Sequence, residues 1–241
     1  MPGIGTSLAR LAVAAGLDVV LSNSRGPETL TELVDTLGSR ARAATPEEAA
    51  QAGDLVVATI PLKAYDRLPV DALRDKMVLD TMNYYPQRDD RLADLDDGHV
   101  TSSAMVQRHL AGSSVVKAFN SIGAHQLFTL ARPTGAADRS ALPIAGDDAR
   151  AKEAADDLLD VLGYDAVDLG TLADSWRSEP GTPVYVRPYL GQAPAGIGPE
   201  DWFAWTLQTP GVTVPAARVR ELAASAVRGP VGGTLPTGVE G

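Results

Sequence analysis

Short apolar runs recur along the chain at residues 18–21, 54–60, 77–79, 115–119, 142–145 and 166–169, and the stretches between them have helical spacing. Runs such as Leu55-Val56-Val57-Ala58 are continuously apolar. A half-exposed strand would alternate, so continuity points to strands of a parallel sheet covered by helices on both faces. The pattern predicts a doubly wound, mostly parallel α/β fold of the Rossmann-like kind.

The helical stretches carry their own punctuation. Residues 6–15 read as a helix closed by Gly16, and residues 27–37 start on Pro27 and stop at Gly38. Thr45-Pro46-Glu47-Glu48 sets a capping residue, a proline and two acids ahead of a short helix ending near Gly53. Asp148 is placed to cap a long helix over 149–162, closed by Gly163. From about Ser178 the texture changes, which divides the chain into a nucleotide-binding unit over 1–177 and an extension over 178–241. Residues 178–198 are rich in proline and glycine and read as extended, with short helices expected over 199–208 and 215–228. Six of the chain's aromatic residues fall between Trp176 and Trp205, which predicts that the extension packs through large side chains onto the main unit or a second subunit. A homo-oligomer is the expectation on that ground.

Composition narrows the function. The 241 residues carry a formal charge of −10, which repels phosphate backbones and anionic lipid, so neither nucleic acid nor a membrane is expected as partner. Without cysteine there is no disulfide, thiolate metal site or cysteine nucleophile. The apolar stretch 11–16 is too short for a signal-peptide core and Asp18 soon interrupts it, so a cytoplasmic location is expected.

In an open parallel sheet, chemistry gathers beyond the carboxyl ends of the strands. The residues there are small and polar: Ser22, Asn23, Ser24 and Arg25 after the first run, Thr59, Ile60 and Pro61 after the second, Asp80, Thr81 and Asn83 after the third, Asn120 and Ser121 after the fourth. At the amino end, Gly3, Ile4, Gly5 and Thr6 look like the tail of a glycine-rich dinucleotide turn that opens a helix, where free amides and the helix dipole meet a pyrophosphate. Arg25 lies twenty residues after Gly5, where such folds meet the adenosine ribose. An acid there would select NAD; Ser24 and Arg25 suit a 2′-phosphate, so NADP is the expected cofactor.

These residues resemble a known family. The runs 18–28, 59–65, Asn83-Tyr84-Tyr85-Pro86, Val116-Lys117-Ala118-Phe119-Asn120 and 143–148 together are similar to the NADP oxidoreductases that include the coenzyme F420-dependent NADP reductases, over residues 3 to about 177. The resemblance implies that Ser24 and Arg25 contact the 2′-phosphate, that Ile60 and Pro61 flank the cofactor, and that Asn120 and Ser121 border the nicotinamide as the catalytic region. It departs at the amino end, where the family's G-x-G-N-I-G turn follows a strand and this chain offers only Pro2-Gly3-Ile4-Gly5. The first strand is expected to be missing, through a misplaced start or a truncation.

The implied function is hydride transfer between NADP(H) and a small-molecule donor or acceptor, with the deazaflavin coenzyme F420 as the second reactant. Two alternatives stay open: an NADPH-dependent reductase of a small imine or carbonyl compound, with Tyr84, Tyr85 or His125 as proton donor, and a non-catalytic NADP-binding sensor. Asp89, Asp90, Asp94, Asp96 and Asp97 miss the calcium-loop template and read as a solvated acidic loop, and His99, His109 and His125 lack paired ligand spacing, so no metal site is expected.

Overall fold

The computed structural model describes residues 3–234. Seven strands alternate with helices: β1 (Val19–Leu21), β2 (Ala41–Ala43), β3 (Leu55–Ala58), β4 (Met77–Asp80), β5 (Ser114–Lys117), β6 (Ala141–Gly146) and β7 (Asp165–Asp168). The principal helices are α1 (Ile4–Ala14), α2 (Thr31–Leu37), α3 (Pro46–Ala52), α4 (Ser102–His109), α5 (Ala124–Thr129), α6 (Ala149–Val161), α7 (Pro199–Thr206) and α8 (Ala216–Ala224). Among the described residues no helix is long and apolar enough to cross a membrane.

Every apolar run becomes a strand, and the fold is the expected α/β arrangement. Strands β3, β4 and β5 pair in parallel, β6 joins β5 antiparallel, and β7 pairs β6 in parallel. The sequence reading missed β2. Its Ala41-Arg42-Ala43 forms no apolar run and takes strand geometry only by parallel pairing with β1.

The sheet is interrupted. β1 and β2 form a pair separate from the five-stranded sheet β3-β4-β5-β6-β7, so β1 and β3 each keep one edge without a strand partner among the described residues. Val19, Val20, Leu21, Leu55, Val56 and Val57 are accordingly only half-buried, whereas the middle of a parallel sheet buries both faces. This slot is where the doubly wound order sets the strand expected to be missing. Pro2, where the amino-end departure was read, lies outside the described residues.

The caps form as expected. Thr45 and Glu48 make a reciprocal capping box at α3, and the Asp148 carboxylate accepts the Ala151 amide at 2.8 Å to open α6. Two expectations are corrected. Residues 178–190 are not extended: a 3₁₀ segment over Leu172–Ser178 runs into hydrogen-bonded turns and a single helical turn at Arg187–Leu190. Local proline and glycine signalled punctuation, and packing against the sheet decided the path. The acidic stretch is not wholly solvated either. Asp89 is buried and held by Arg88 through two contacts of 2.8 Å, while it also accepts the Tyr85 amide at 3.0 Å.

The extension shares the core of the main unit. Val184, Tyr189, Val214, Val219 and Leu222 pack in the same cluster as Leu79, Val116, Phe119 and Leu142 from the sheet and its following loop. Tyr189 donates to the Ala141 carbonyl at 2.9 Å from a fully buried position.

Candidate cofactor site

The amino end of α1 opens on Gly3, whose backbone is extended and which offers no side-chain cap. The first-turn amides of Ile4, Gly5 and Thr6 therefore keep their donor capacity, the condition an anion-binding helix start requires. Gly5 is fixed by proximity, because a Cβ there would stand 2.7 Å from Thr59 Oγ1. The Thr59-Ile60-Pro61 loop after β3 thus lies directly against the turn, with Thr59 and Pro61 exposed and Ile60 half-buried. Ser7 Oγ donates to the Ala124 carbonyl at 2.8 Å, tying α1 to the start of α5.

At the tip of β1 the chain makes a side-chain-stabilised turn. Asn23 Oδ1 accepts the Arg25 amide at 2.8 Å, Asn23 Nδ2 donates to Thr29 Oγ1 at 2.9 Å, and Thr29 Oγ1 donates to the Gly26 carbonyl at 2.8 Å. Ser24 and Arg25 are carried outward and exposed. Arg25 makes no ion pair among the described residues. Gly26 has φ +104° beneath the Glu28 carboxylate, a place and conformation suited to glycine. An exposed, unpaired guanidinium beside a serine hydroxyl fits a phosphoryl group.

The tips of β4 and β5 face each other through two amides. Asn83 Nδ2 donates to the Asn120 carbonyl at 2.9 Å, Asn120 Nδ2 donates to Asn83 Oδ1 at 3.1 Å, and Asn120 Nδ2 also donates to the Ser178 carbonyl at 2.8 Å. Asn120 is buried, Asn83 half-buried. Ser121 lies deeper: its hydroxyl is enclosed and makes no hydrogen bond, while its carbonyl accepts the Val186 amide at 2.8 Å. Phe119 and Val186 both hold positive φ, +58° and +55°. Such conformations cost roughly 1–3 kcal/mol each for side chains of this kind and persist only where the surroundings over-determine them.

Tyr185 and Lys117, to which the sequence reading gave no role, close this region together with Tyr85 and Asp80. Tyr185, from the extension, meets Tyr85 hydroxyl to hydroxyl and receives Asn83 Nδ2 at 3.4 Å. Burial pushes both phenols above the ordinary tyrosine value. Beneath them Asp80 and Lys117, the last residues of β4 and β5, are fully buried and paired at 3.3 Å. The sequence signal was a lone charge at each place: Asp80 directly after the run 77–79, and Lys117 inside the run 115–119. His125 is half-buried on α5 and its ring makes no hydrogen bond among the described residues.

Residues 3–84 match the family described as NADP oxidoreductase, coenzyme F420-dependent. No curated protein matches the chain. Among solved structures, a hypothetical protein from Sinorhizobium meliloti is 29% identical, with 77% of this chain and 89% of that one covered and a TM-score of 0.67. A protein from Arthrobacter assigned as an F420-dependent NADP reductase is 21% identical, with 73% and 84% covered and a TM-score of 0.60. A reductive aminase from Aspergillus terreus, in complex with NADPH and ethyl-5-oxohexanoate, is 18% identical over 70% of this chain and 53% of that one, with a TM-score of 0.51. The last two likenesses speak to fold alone. Over residues 3–84 the chain is similar to that family, the same one the motifs resemble.

Proposed function

We propose that the protein moves a hydride between NADP(H) and a deazaflavin of the F420 type. The observation that carries the NADP half is the unpaired Arg25 guanidinium beside Ser24, on a turn pinned by Asn23. Ser24 and Arg25 hold the 2′-phosphate, the uncapped amides of α1 meet the pyrophosphate, and Thr59, Ile60 and Pro61 flank the dinucleotide. When bound, the nicotinamide supplies or accepts the hydride.

The deazaflavin half rests on what the β4 and β5 tips offer. Asn83 and Asn120 form a locked amide pair suited to hydrogen-bonding flat heterocycles. Asp80 and Lys117 are fully buried and used up by internal bonds. Ring-to-ring hydride transfer needs alignment and exclusion of water more than an acid–base pair, so this environment suits it. The family match supports the reading through its F420-dependent description. The test is anaerobic: mix the protein with NADPH and oxidised F420 and follow deazaflavin bleaching. NADPH-dependent bleaching with saturation in both reactants is expected, and its absence with folded, NADPH-binding protein would contradict the reading.

A second reading has one observation in its favour. The Tyr85 hydroxyl meets that of Tyr185, which itself receives the Asn83 amide, so a phenol stands beside the crevice where it can give a proton to an imine or carbonyl after hydride delivery. NADPH oxidation by a panel of imines and carbonyls, abolished in Tyr85→Phe, would favour it over deazaflavin reduction.

A further inference from the structure

One buried network lies behind the crevice and touches neither the Ser24–Arg25 turn nor the α1 amides. Lys117 Nζ spends its three hydrogens on Asp80 Oδ2 at 3.3 Å, Ser102 Oγ at 3.3 Å and the Met82 carbonyl. Asp80 accepts the Met82 amide at 2.8 Å through Oδ1 and the Ser103 hydroxyl at 2.6 Å through Oδ2. Ser102 in turn donates through its hydroxyl to Glu179 Oε1 at 2.7 Å and through its amide at 3.3 Å, so the carboxylate rests at the amino end of α4. Asp80, Lys117, Ser102 and Ser103 are all fully buried.

Burying such charges is expensive, and apolar residues of the same volume usually serve stability as well or better. What the pair does achieve is geometric. Both backbone polar groups of Met82 are taken, the amide by Asp80 and the carbonyl by Lys117, and Asn83 is the next residue. We propose that Asp80 and Lys117 are positioning residues: by clamping the Met82 peptide they aim the Asn83 amide across the crevice at Asn120. The proposal rests on the hydride-transfer reading for its effect on rate, though the clamp itself can be observed without any turnover. Glu179 ties the clamp to the extension through α4, so the same network sets how the segment bearing Ser178 and Tyr185 seats against Asn120 and Asn83.

The test uses the full chain. Asp80→Asn/Lys117→Met removes both members of the pair together, so neither is left facing an unpaired partner, Glu179 keeps its Ser102 hydroxyl and amide donors, and the carboxamide still accepts the Met82 amide. Three quantities are compared with wild type: the Asn83 side-chain amide signals in a ¹H–¹⁵N spectrum, assigned by their loss in Asn83→Ala; the NADPH dissociation constant; and the single-turnover rate with saturating NADPH and F420. Displaced or exchange-broadened Asn83 signals are expected, with an NADPH affinity within about threefold and a hydride-transfer rate lowered at least about tenfold. Adding Asn83→Ala to the double variant should cost little more, because both changes remove one device. Unmoved Asn83 signals with a wild-type rate would overturn the proposal and leave the pair a packing feature. If wild type transfers no hydride to F420, the functional reading has failed, and the Asn83 signals alone decide the clamp. Where the double variant does not fold, Ser103→Ala, which deletes one bond to Asp80 Oδ2, carries the same spectral comparison: shifted Asn83 signals support the clamp and unshifted ones overturn it.

Discussion

Asn120→Ala would delete the donor that joins Asn83 Oδ1 to the Ser178 carbonyl, leaving a buried carbonyl unpaired. Such a loss costs roughly 1–3 kcal/mol of stability. Turnover should fall about tenfold or more while NADPH affinity changes little, since the phosphate contacts lie elsewhere; steady-state kinetics beside a nucleotide titration checks this. The positions of Asn83, Asn120 and Arg25 beyond the ends of β4, β5 and β1 were legible because each comes shortly after an apolar run. Tyr185 was not. Its contact with Asn83 spans 102 residues of sequence, and no local pattern announces which turn of a proline-rich stretch returns to the sheet. Ser121 shows the reverse limit: its place after β5 was clear, but whether its hydroxyl would face solvent or the core depends on Phe119, whose φ of +58° no propensity favours.

Elements divide in the same way. Those written in local chemistry, the caps at Thr45 and Asp148 and the continuous strands, formed where the sequence put them. Asp148→Ala should cost about 1 kcal/mol through loss of the α6 cap. For a chain of this size that corresponds to a melting temperature about 2–4 °C lower, measurable by circular dichroism, with NADPH binding unaltered. β2 and the turns of 178–190 could not be read, because both conformations come from partners distant in sequence: β1 for the first, the tips of β4 and β5 for the second. The Asp80–Lys117 pair belongs here too. Parallel pairing sets the two residues side by side in register, which neither strand encodes alone.

At the scale of the molecule, extension and sheet share one core, and three tyrosines mark the seam. Tyr164, Tyr185 and Tyr189 are pushed above the ordinary phenol value, chiefly by burial. The unfolded chain ionises its tyrosines near pH 10 while the folded one resists, so their contribution to stability is fully present below pH 10 and is lost as pH rises beyond it. Melting temperature should therefore drop steeply above pH 10, with absorbance at 295 nm rising in step with unfolding; tyrosines that titrate near 10 in a still-folded protein would contradict the buried seam. The interrupted sheet leaves β1, and with it the Ser24–Arg25 turn, attached through β2 and the helices rather than through a continuous ladder. Everything proposed for the cofactor turns on that turn. The decisive measurement is calorimetric titration of NADPH and NADH into wild type and Arg25→Ala. Charge-assisted bonds to a phosphate contribute about 1.5–3 kcal/mol, so the variant should lose roughly ten- to a hundredfold in NADPH affinity and almost nothing for NADH. Equal losses for the two nucleotides, or none for either, would contradict the assignment of a 2′-phosphate site to Arg25 and with it the account of the protein as an NADP enzyme.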